Sequence, residues 1–207
     1  MTIITILDYG LGNIGSLKNM FKRINETVRT TSDPNEIKDA NKLVIPGVGS
    51  FDAAMNSINE TKGLREALDL KALRHKIPIL GICLGMQLLT NRSEEGILEG
   101  LKWIPGEVKK FPQNKDFKIP HMGWNEVKKN NANIKMIKNL NKGTRFYFVH
   151  SYYVNVFDRN HSLLQSEHNI KFDSAIYKDN LYGIQFHPEK SHKYGMNILK
   201  NFSEMKC

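Results

Sequence analysis

A cysteine flanked by glycines at the end of an apolar segment is the strongest candidate for chemistry in this sequence. Gly81-Ile82-Cys83-Leu84-Gly85 continues the apolar residues 77–80. Small residues two positions before and after a nucleophile permit a tight turn from a strand into a helix, which exposes the side chain above the edge of a sheet. The positive end of the helix favours a reactive thiolate. The same residues also fit a buried structural cysteine between two packing glycines.

A histidine and a glutamate separated by one proline form the second candidate. His187-Pro188-Glu189 follows the apolar segment 181–186. Proline disfavours a helix for the residue before it, and in an extended segment positions i and i+2 point to the same side. We therefore expect the Glu189 carboxylate beside the His187 imidazole, where it would fix the tautomer and stabilise the imidazolium. A surface loop with an incidental ion pair is the alternative.

The two candidates are more informative together than separately. Cys83, His187 and Glu189 supply a nucleophile, a base and an orienting acid, in that order along the chain. Each group follows an apolar strand, and sites of α/β folds lie at strand ends. The set matches the logic of a catalytic triad.

A glycine-rich turn after another apolar strand is the third candidate. In Pro46-Gly47-Val48-Gly49 a backbone N–H near Val48 could face an oxyanion, together with the N–H of Leu84. A plain turn or a weak phosphate loop is the alternative. The turn lacks the Gly-Lys-Ser/Thr ending of a P-loop, which argues against nucleotide binding.

The elements that must position these residues alternate through the first half of the chain. Apolar or β-branched segments predict strands, and helical periodicity predicts helices. The predicted strands are 2–7, 28–31, 42–45 and 77–82, and the predicted helices lie at 16–24, within 51–75 and at 86–89. Continuous apolar strands separated by helices indicate a parallel sheet with helices on both faces.

The second half reads mainly as strands joined by polar turns. The predicted strands are 103–111, 125–128, 144–149, 152–156, 172–177 and 181–186, followed by a helix at 194–205. No repeat or linker divides the chain. We therefore expect a single α/β domain over residues 1–207, with a mixed, mainly parallel central sheet and added antiparallel strands in the second half.

Composition excludes several classes of function. The 207 residues are 40% hydrophobic and 25% charged, with a formal charge of +9 carried by scattered lysines, which does not fit a nucleic-acid-binding face. The N-terminal residues do not resemble a signal peptide, and no apolar run is long enough to span a membrane. With two cysteines and no zinc-ligand spacing, we expect a cytoplasmic protein without a disulfide or a metal.

At the level of longer motifs, the sequence resembles the class I, or triad, glutamine amidotransferases. The resemblance rests on residues 81–89 around Cys83 and 185–191 around His187. It narrows to the glutaminase subunits of imidazole glycerol phosphate synthases. That narrowing rests on segments spread over nearly the whole chain, at 8–13, 46–51, 120–125 and 146–152.

The resemblance implies a fold, a reaction and a substrate site. The fold is flavodoxin-like, and Cys83 attacks the side-chain amide of glutamine while His187 shuttles the proton and Glu189 orients it. The oxyanion donors are the N–H groups near Val48 and Leu84. The positions implied to hold glutamine are Gly49, Gln87, Glu95, His150, Ser151 and Tyr152.

The resemblance also implies a partner. Ammonia passes through a channel to a (β/α)₈-barrel cyclase in a heterodimer, which makes imidazole glycerol phosphate and an aminoimidazole carboxamide ribotide for histidine biosynthesis. No metal or organic cofactor is implied. The positions that lie toward the partner are Asn13, Met122, Trp124 and Lys190.

Three other functions stay open from the sequence. Paralogous subunits with the same triad deliver ammonia to a sugar in surface or flagellar glycan pathways, and the segment 190–196 leans toward them. A cysteine peptidase would also use cysteine and histidine, although it needs a peptide groove. A non-catalytic regulatory subunit would typically lack one member of the triad.

Overall fold

The computed structural model describes residues 3–113, 115, 117–130 and 134–205. Its helices are α1 Ile14–Arg23, α2 Pro34–Lys38, α3 Phe51–Glu60, α4 Leu64–Asp69, α5 Leu84–Leu88 and α6 His192–Ser203. Its strands are β1 Ile4–Leu7, β2 Val28–Thr31, β3 Leu43–Gly47, β4 Ile79–Cys83, β5 Gly106–Lys110, β6 His121–Glu126, β7 Lys128–Lys129, β8 Arg145–His150, β9 Tyr152–Val156, β10 Ser162–His168, β11 Ile170–Lys178 and β12 Leu181–Ile184. Thr2, the predicted start of the first strand, and Cys207 lie outside the described residues.

The centre of the main sheet is parallel. Its strands run in the order β2, β1, β3, β4 and β12, each hydrogen-bonded in parallel to the next. The register pairs Gly47 with Cys83 and Ile82 with Ile184. The carboxyl ends of β3, β4 and β12 therefore meet at one edge, which is where ligands bind in open α/β sheets.

Both faces of this sheet are covered, because successive residues of a strand point to opposite sides. In β3, Leu43 and Ile45 pack into one core with α3 and α4, whereas Val44 packs into the other with α1 and α6. All three side chains are fully buried. This explains why the strands are continuously apolar and confirms the predicted parallel sheet with helices on both faces.

The second half adds antiparallel strands. β11 pairs with β12, β10 and β9, while β5 pairs with β9 and β7 pairs with β10. The separate ribbon of β6 and β8 pairs His121 with His150 in register. The mixed, mainly parallel α/β sheet with antiparallel additions is therefore as predicted.

Several predicted elements differ from the observed ones. The helical stretch 51–75 breaks at residues 61–63, where Gly63 takes a left-handed conformation with φ of 81°. The short helix α2 and the strand β10 were missed. β10 is the strand Ser-Leu-Leu-Gln-Ser-Glu-His, in which two adjacent leucines interrupt the alternation, and it has an irregular register against β11.

No helix among the described residues is long and apolar enough to cross a membrane.

Candidate active site

The chain makes the predicted tight turn from β4 into α5 at Cys83, and we call this turn the elbow. Cys83 ends the strand with φ of 56° and ψ of −112°, a conformation that costs free energy for a residue with a side chain. A Cβ added to Gly81 would lie 2.5 Å from the Gly85 carbonyl oxygen, and one added to Gly85 would overlap the Ile45 carbonyl. Both glycines are therefore required for the close packing of α5 onto β3 and β4.

The end of β3 packs against the elbow. A Cβ on Gly47 would lie 2.7 Å from the Tyr9 hydroxyl oxygen and 2.9 Å from the Gly85 nitrogen. The Tyr9 hydroxyl donates a hydrogen bond to the Pro46 carbonyl at 2.5 Å. Burial, and secondarily the negative charge of a Cys83 thiolate, raise the pKa of Tyr9 well above its usual range. Tyr9 therefore stays protonated and anchors the Pro46–Gly49 turn.

His187 and Glu189 meet as predicted, although through a different backbone conformation. The distance between His187 Nδ1 and Glu189 Oε1 is 2.8 Å, and both side chains are about 5% exposed. Pro188–Lys190 form a 3₁₀ turn that His187 caps, so the expected extended segment is wrong. The tight turn, rather than strand alternation, places the carboxylate beside the ring.

The turn that carries this pair is attached to β8. The His187 N–H donates to the Tyr147 carbonyl at 2.9 Å, and the Tyr147 N–H donates to Ser191 Oγ at 3.0 Å. Ser191 Oγ in turn donates to the His187 carbonyl at 2.6 Å. The position of the imidazole therefore depends on the β6–β8 ribbon as well as on β12.

The electrostatics of the pair favour a charged imidazole. Burial by itself would lower the pKa of His187, but interactions with a Cys83 thiolate and with the Glu189 carboxylate outweigh burial and raise the pKa. His187 Nε2 is buried and has no partner with hydrogen-bond geometry among the described residues, so the sulfur acts mainly through its charge. The Glu189 contact at 2.8 Å is the firmer cause.

A cavity of about 400 Å³ opens beside the sulfur. Its lining brings together nearly all residues predicted for catalysis and substrate binding, with Glu189 behind His187. The predicted residues that line it are Val48, Gly49, Cys83, Leu84, Gln87, Glu95, His150, Ser151, Tyr152, His187 and Lys190. Within the described ranges, no three His, Cys, Asp or Glu side chains group as metal ligands.

Glu95 reaches the cavity from a loop that is fixed to α3. Its Oε2 accepts the Phe51 N–H at 2.9 Å. Both carboxylate oxygens of Asp52 accept hydrogen bonds from this loop, from the N–H groups of Ile97 and Leu98 at 3.0 Å each. The first turn of α3 therefore positions Glu95 in two ways. The Phe51 N–H, which has no partner within the helix, binds the Glu95 carboxylate, and the Asp52 carboxylate holds the loop that carries Glu95.

The opposite wall of the cavity contains His150 and Tyr152. His150 Nδ1 is 2.7 Å from the Tyr152 carbonyl oxygen, which only accepts, so Nδ1 carries the hydrogen. His150 Nε2 then accepts from His121 Nδ1 at 2.8 Å, and His121 Nε2 lies 3.1 Å from Asn125 Nδ2. His168 is half-buried and stacks on His121 with 4.3 Å between ring centres.

The residues expected at a partner all lie on the surface. Asn13 is exposed and caps α1 through Ser16, while Met122 is 61% and Trp124 45% exposed. Trp124 stacks on His192 with 5.7 Å between ring centres. Lys190 is exposed, borders the cavity and lies over the Tyr147 ring.

Sequence reasoning missed several residues that hold the site together. Gln185 is fully buried and donates from Nε2 to Cys83 Sγ at 3.6 Å. Its place two residues before His187, on the same side of an extended segment, was a usable signal. For Tyr9, His121 and Asn125 no local signal existed, because their partners are distant in sequence.

A strained cysteine at the end of a parallel strand, faced by a paired histidine and glutamate, defines the class of thiol-dependent triad enzymes. Residues 5–205 match the family described as Glutamine amidotransferase class-I. The chain is 52% identical to imidazole glycerol phosphate synthase subunit HisH 2 of Methanococcus maripaludis, over 97% of this chain and 98% of the relative. It is 45% identical to subunit HisH of Bdellovibrio bacteriovorus, over 98% of this chain and all of the relative.

The chain therefore belongs to the class I glutamine amidotransferases, and within this family it is similar to HisH subunits. The solved structure described as PurLQS from Thermotoga maritima superposes with a TM-score of 0.73, covering 98% of this chain and 97% of that one. At 16% identity this likeness supports the fold alone.

Proposed function

We propose that this protein is the glutaminase subunit of an imidazole glycerol phosphate synthase and that residues 1–207 form one amidotransferase domain. The observation that carries the proposal is the His187–Glu189 pair, which borders the same cavity as the Cys83 elbow. Full-length similarity to HisH subunits supports the assignment to histidine biosynthesis. The reaction hydrolyses glutamine to glutamate and ammonia.

The triad performs this reaction in two steps. The Cys83 sulfur bonds to the side-chain amide carbon of glutamine, and His187 donates a proton to the departing nitrogen, which leaves as ammonia. The C–N bond breaks and a thioester remains. His187 then takes a proton from water as the water oxygen attacks the thioester, which releases glutamate and restores the sulfur. Glu189 keeps the imidazole in one orientation throughout.

The oxyanion and the substrate are held by opposite walls of the cavity. The N–H groups of Val48 and Leu84 stabilise the oxyanion, and Leu84 begins α5, where backbone N–H groups lack intrahelical partners. Five side chains or backbone segments hold glutamine together with Gly49. They are Gln87, Glu95, His150, Ser151 and Tyr152, all at the cavity.

The ammonia serves a cyclase partner with a (β/α)₈ barrel, in a heterodimer. The exposed Met122 and Trp124, with Asn13 and Lys190, form the contact surface. The large apolar side chains of Met122 and Trp124 are 61% and 45% exposed, and such exposure of neighbouring apolar groups supports an interface there. Such docking would leave ammonia a route that avoids water.

The first experiment measures glutamate release from glutamine, with and without the cyclase subunit and its ribonucleotide substrate. We expect strong stimulation by that pair. Cys83→Ala should lower the stimulated rate by about four orders of magnitude or more, and His187→Ala by about two to four. Cys207→Ser is the control and should change little.

The same measurement separates the alternatives. Full activity in Cys83→Ala would refute the triad. If wild-type protein reacts with a glutamine-analogue inhibitor at Cys83 but is not stimulated, the glutaminase stands and the acceptor is reassigned to a sugar. Absence of both reaction and turnover would indicate a non-catalytic regulatory subunit.

A further inference from the structure

The side chain of Gln185 lies against the nucleophile and has no role in the mechanism above. It is fully buried, and its Nε2 is 3.6 Å from Cys83 Sγ. Its Oε1 accepts a hydrogen bond from Gln87 Nε2 at 3.1 Å. Every polar atom of this amide is therefore directed at one of two neighbours, the sulfur or Gln87.

The direction of the amide matters, because its oxygen and nitrogen would act on the sulfur in opposite ways. Gln87 Nε2 also lies 3.3 Å from the Tyr152 carbonyl oxygen, which is an acceptor only. The nitrogen end of Gln87 must therefore face that carbonyl. Gln185 then has to present its oxygen to Gln87 and its N–H to the sulfur, since the opposite orientation would place two donors face to face.

The carbonyl that sets these directions is itself fixed. His150 Nδ1 donates to it at 2.7 Å, and His121 Nδ1 donates to His150 Nε2 at 2.8 Å. The Tyr152 carbonyl therefore anchors two hydrogen-bonded chains. One runs through Gln87 and Gln185 to the sulfur, and the other runs through His150 to strand β6.

We propose that Gln185 is a further catalytic residue, whose Nε2–H stabilises the anionic sulfur of Cys83, and that Gln87 is a positioning residue that keeps this N–H turned toward the sulfur. The inference rests on the proposed function in one respect, which is that Cys83 is the nucleophile. A buried donor to a charged acceptor is among the stronger hydrogen bonds.

The donor acts whenever the sulfur is charged. It raises the thiolate population before attack, and it stabilises the sulfur again as the thioester breaks and the electron pair returns to it. Other titratable groups that act on the sulfur are His187, which is backed by Glu189, and Tyr9. These groups remain in the variants below, so differences between variants report on Gln185.

The test is the pH profile of Cys83 alkylation by iodoacetamide, read by mass spectrometry in a Cys207→Ser background that leaves one cysteine. In Gln185→Met we expect the midpoint of the profile to move up by about one pH unit and the rate at pH values well below the midpoint to fall about tenfold. The plateau at high pH should equal that of the parent, because the thiolate is then fully formed in both.

A midpoint that does not move would overturn the inference. If the plateau is lower while the midpoint is unmoved, Gln185 only shapes access to the sulfur. Parent protein that is not alkylated at any pH would refute the proposed function as well, so the two failures are distinguishable.

A matched control and a second variant protect the test against misfolding. Gln165 is a half-buried glutamine whose Nε2 contacts Asp173 away from the cavity, at 3.5 Å, so Gln165→Met should keep the parent profile. Gln87→Met leaves the Gln185 amide in place but removes the donor that orients it. We expect its midpoint to move in the same direction as in Gln185→Met, by a smaller amount, and an unmoved midpoint would overturn the positioning role.

Discussion

The two walls of the cavity are held in place by different physical means. One wall, which we call the elbow wall, consists of the end of β3, Cys83 and α5, and its shape follows from backbone packing around glycines. The other, which we call the histidine wall, consists of His150 with the adjoining Tyr152 and is supported from outside the cavity lining by His121 and His168. The hydrogen bonds that His150 accepts from His121 and that His121 accepts from Asn125 exist only while the accepting ring is neutral.

Because of this difference, the two walls tolerate different perturbations. Main-chain packing at Gly47, Gly81 and Gly85 does not respond to pH, but it leaves no space for an added methyl group. In the histidine wall, burial lowers the pKa of His150 to about 3, and burial together with the charge of His168 lowers the pKa of His121 to about 4. A proton on either ring would place two donors face to face.

The largest effect is expected from a substitution in the elbow wall. In Gly85→Ala the new Cβ would overlap the Ile45 carbonyl, which is backbone and cannot move aside without shifting β3. We expect the free energy of unfolding to fall by about 3 kcal/mol or more, measured by chemical denaturation. Gly15→Ala, in α1 with open space around it, is the control and should be neutral or slightly stabilising. Equal losses in both variants would contradict the steric account.

This contrast also explains what the sequence could predict. The elbow is a local pattern, since Gly81, Cys83 and Gly85 lie within five residues, and the strands that precede it are continuously apolar. The parallel half and the turn at Cys83 were therefore predictable. His121 and His150 are 29 positions apart, and Gln87 and Gln185 are 98 apart. Neither pairing leaves a local trace, because each depends on register and sheet order that form only with the fold.

The second prediction acts on the histidine wall through pH. Below about pH 6.5 the unfolded chain protonates its histidines, whereas His121 and His150 stay neutral in the folded state. The unfolded state then binds more protons. As the pH decreases, the free energy of unfolding therefore falls by about 1.4 kcal/mol per pH unit for each ring. At pH 5 the expected loss is about 2 kcal/mol for each.

The raised pKa of His187 does not contribute to this slope. Below about 6.5 its ring is charged in both states, so its stabilising contribution is already complete there and is lost only as pH rises. Denaturation curves at several pH values test the assignment. His121→Gln should remove about half of the acid slope, whereas the exposed His75→Asn should leave it unchanged. An unchanged slope in His121→Gln would place the acid sensitivity elsewhere.

The smallest predicted effect concerns Glu95, which enters the cavity from the loop that is hydrogen-bonded to Asp52. In Asp52→Asn one oxygen still accepts an N–H of Ile97 or Leu98, but the amide nitrogen faces the other N–H, and the loop loses one hydrogen bond to a charged group. We expect KM for glutamine to rise about tenfold at unchanged kcat, in glutaminase assays with the activating partner, because the role proposed for Glu95 is to bind substrate and it does not contact the sulfur. Asp158→Asn, which only caps the turn before β10, is the control. A loss confined to kcat would instead mean that the hydrogen bonds of Asp52 act on the elbow wall through α3. The division between the two walls would then need revision.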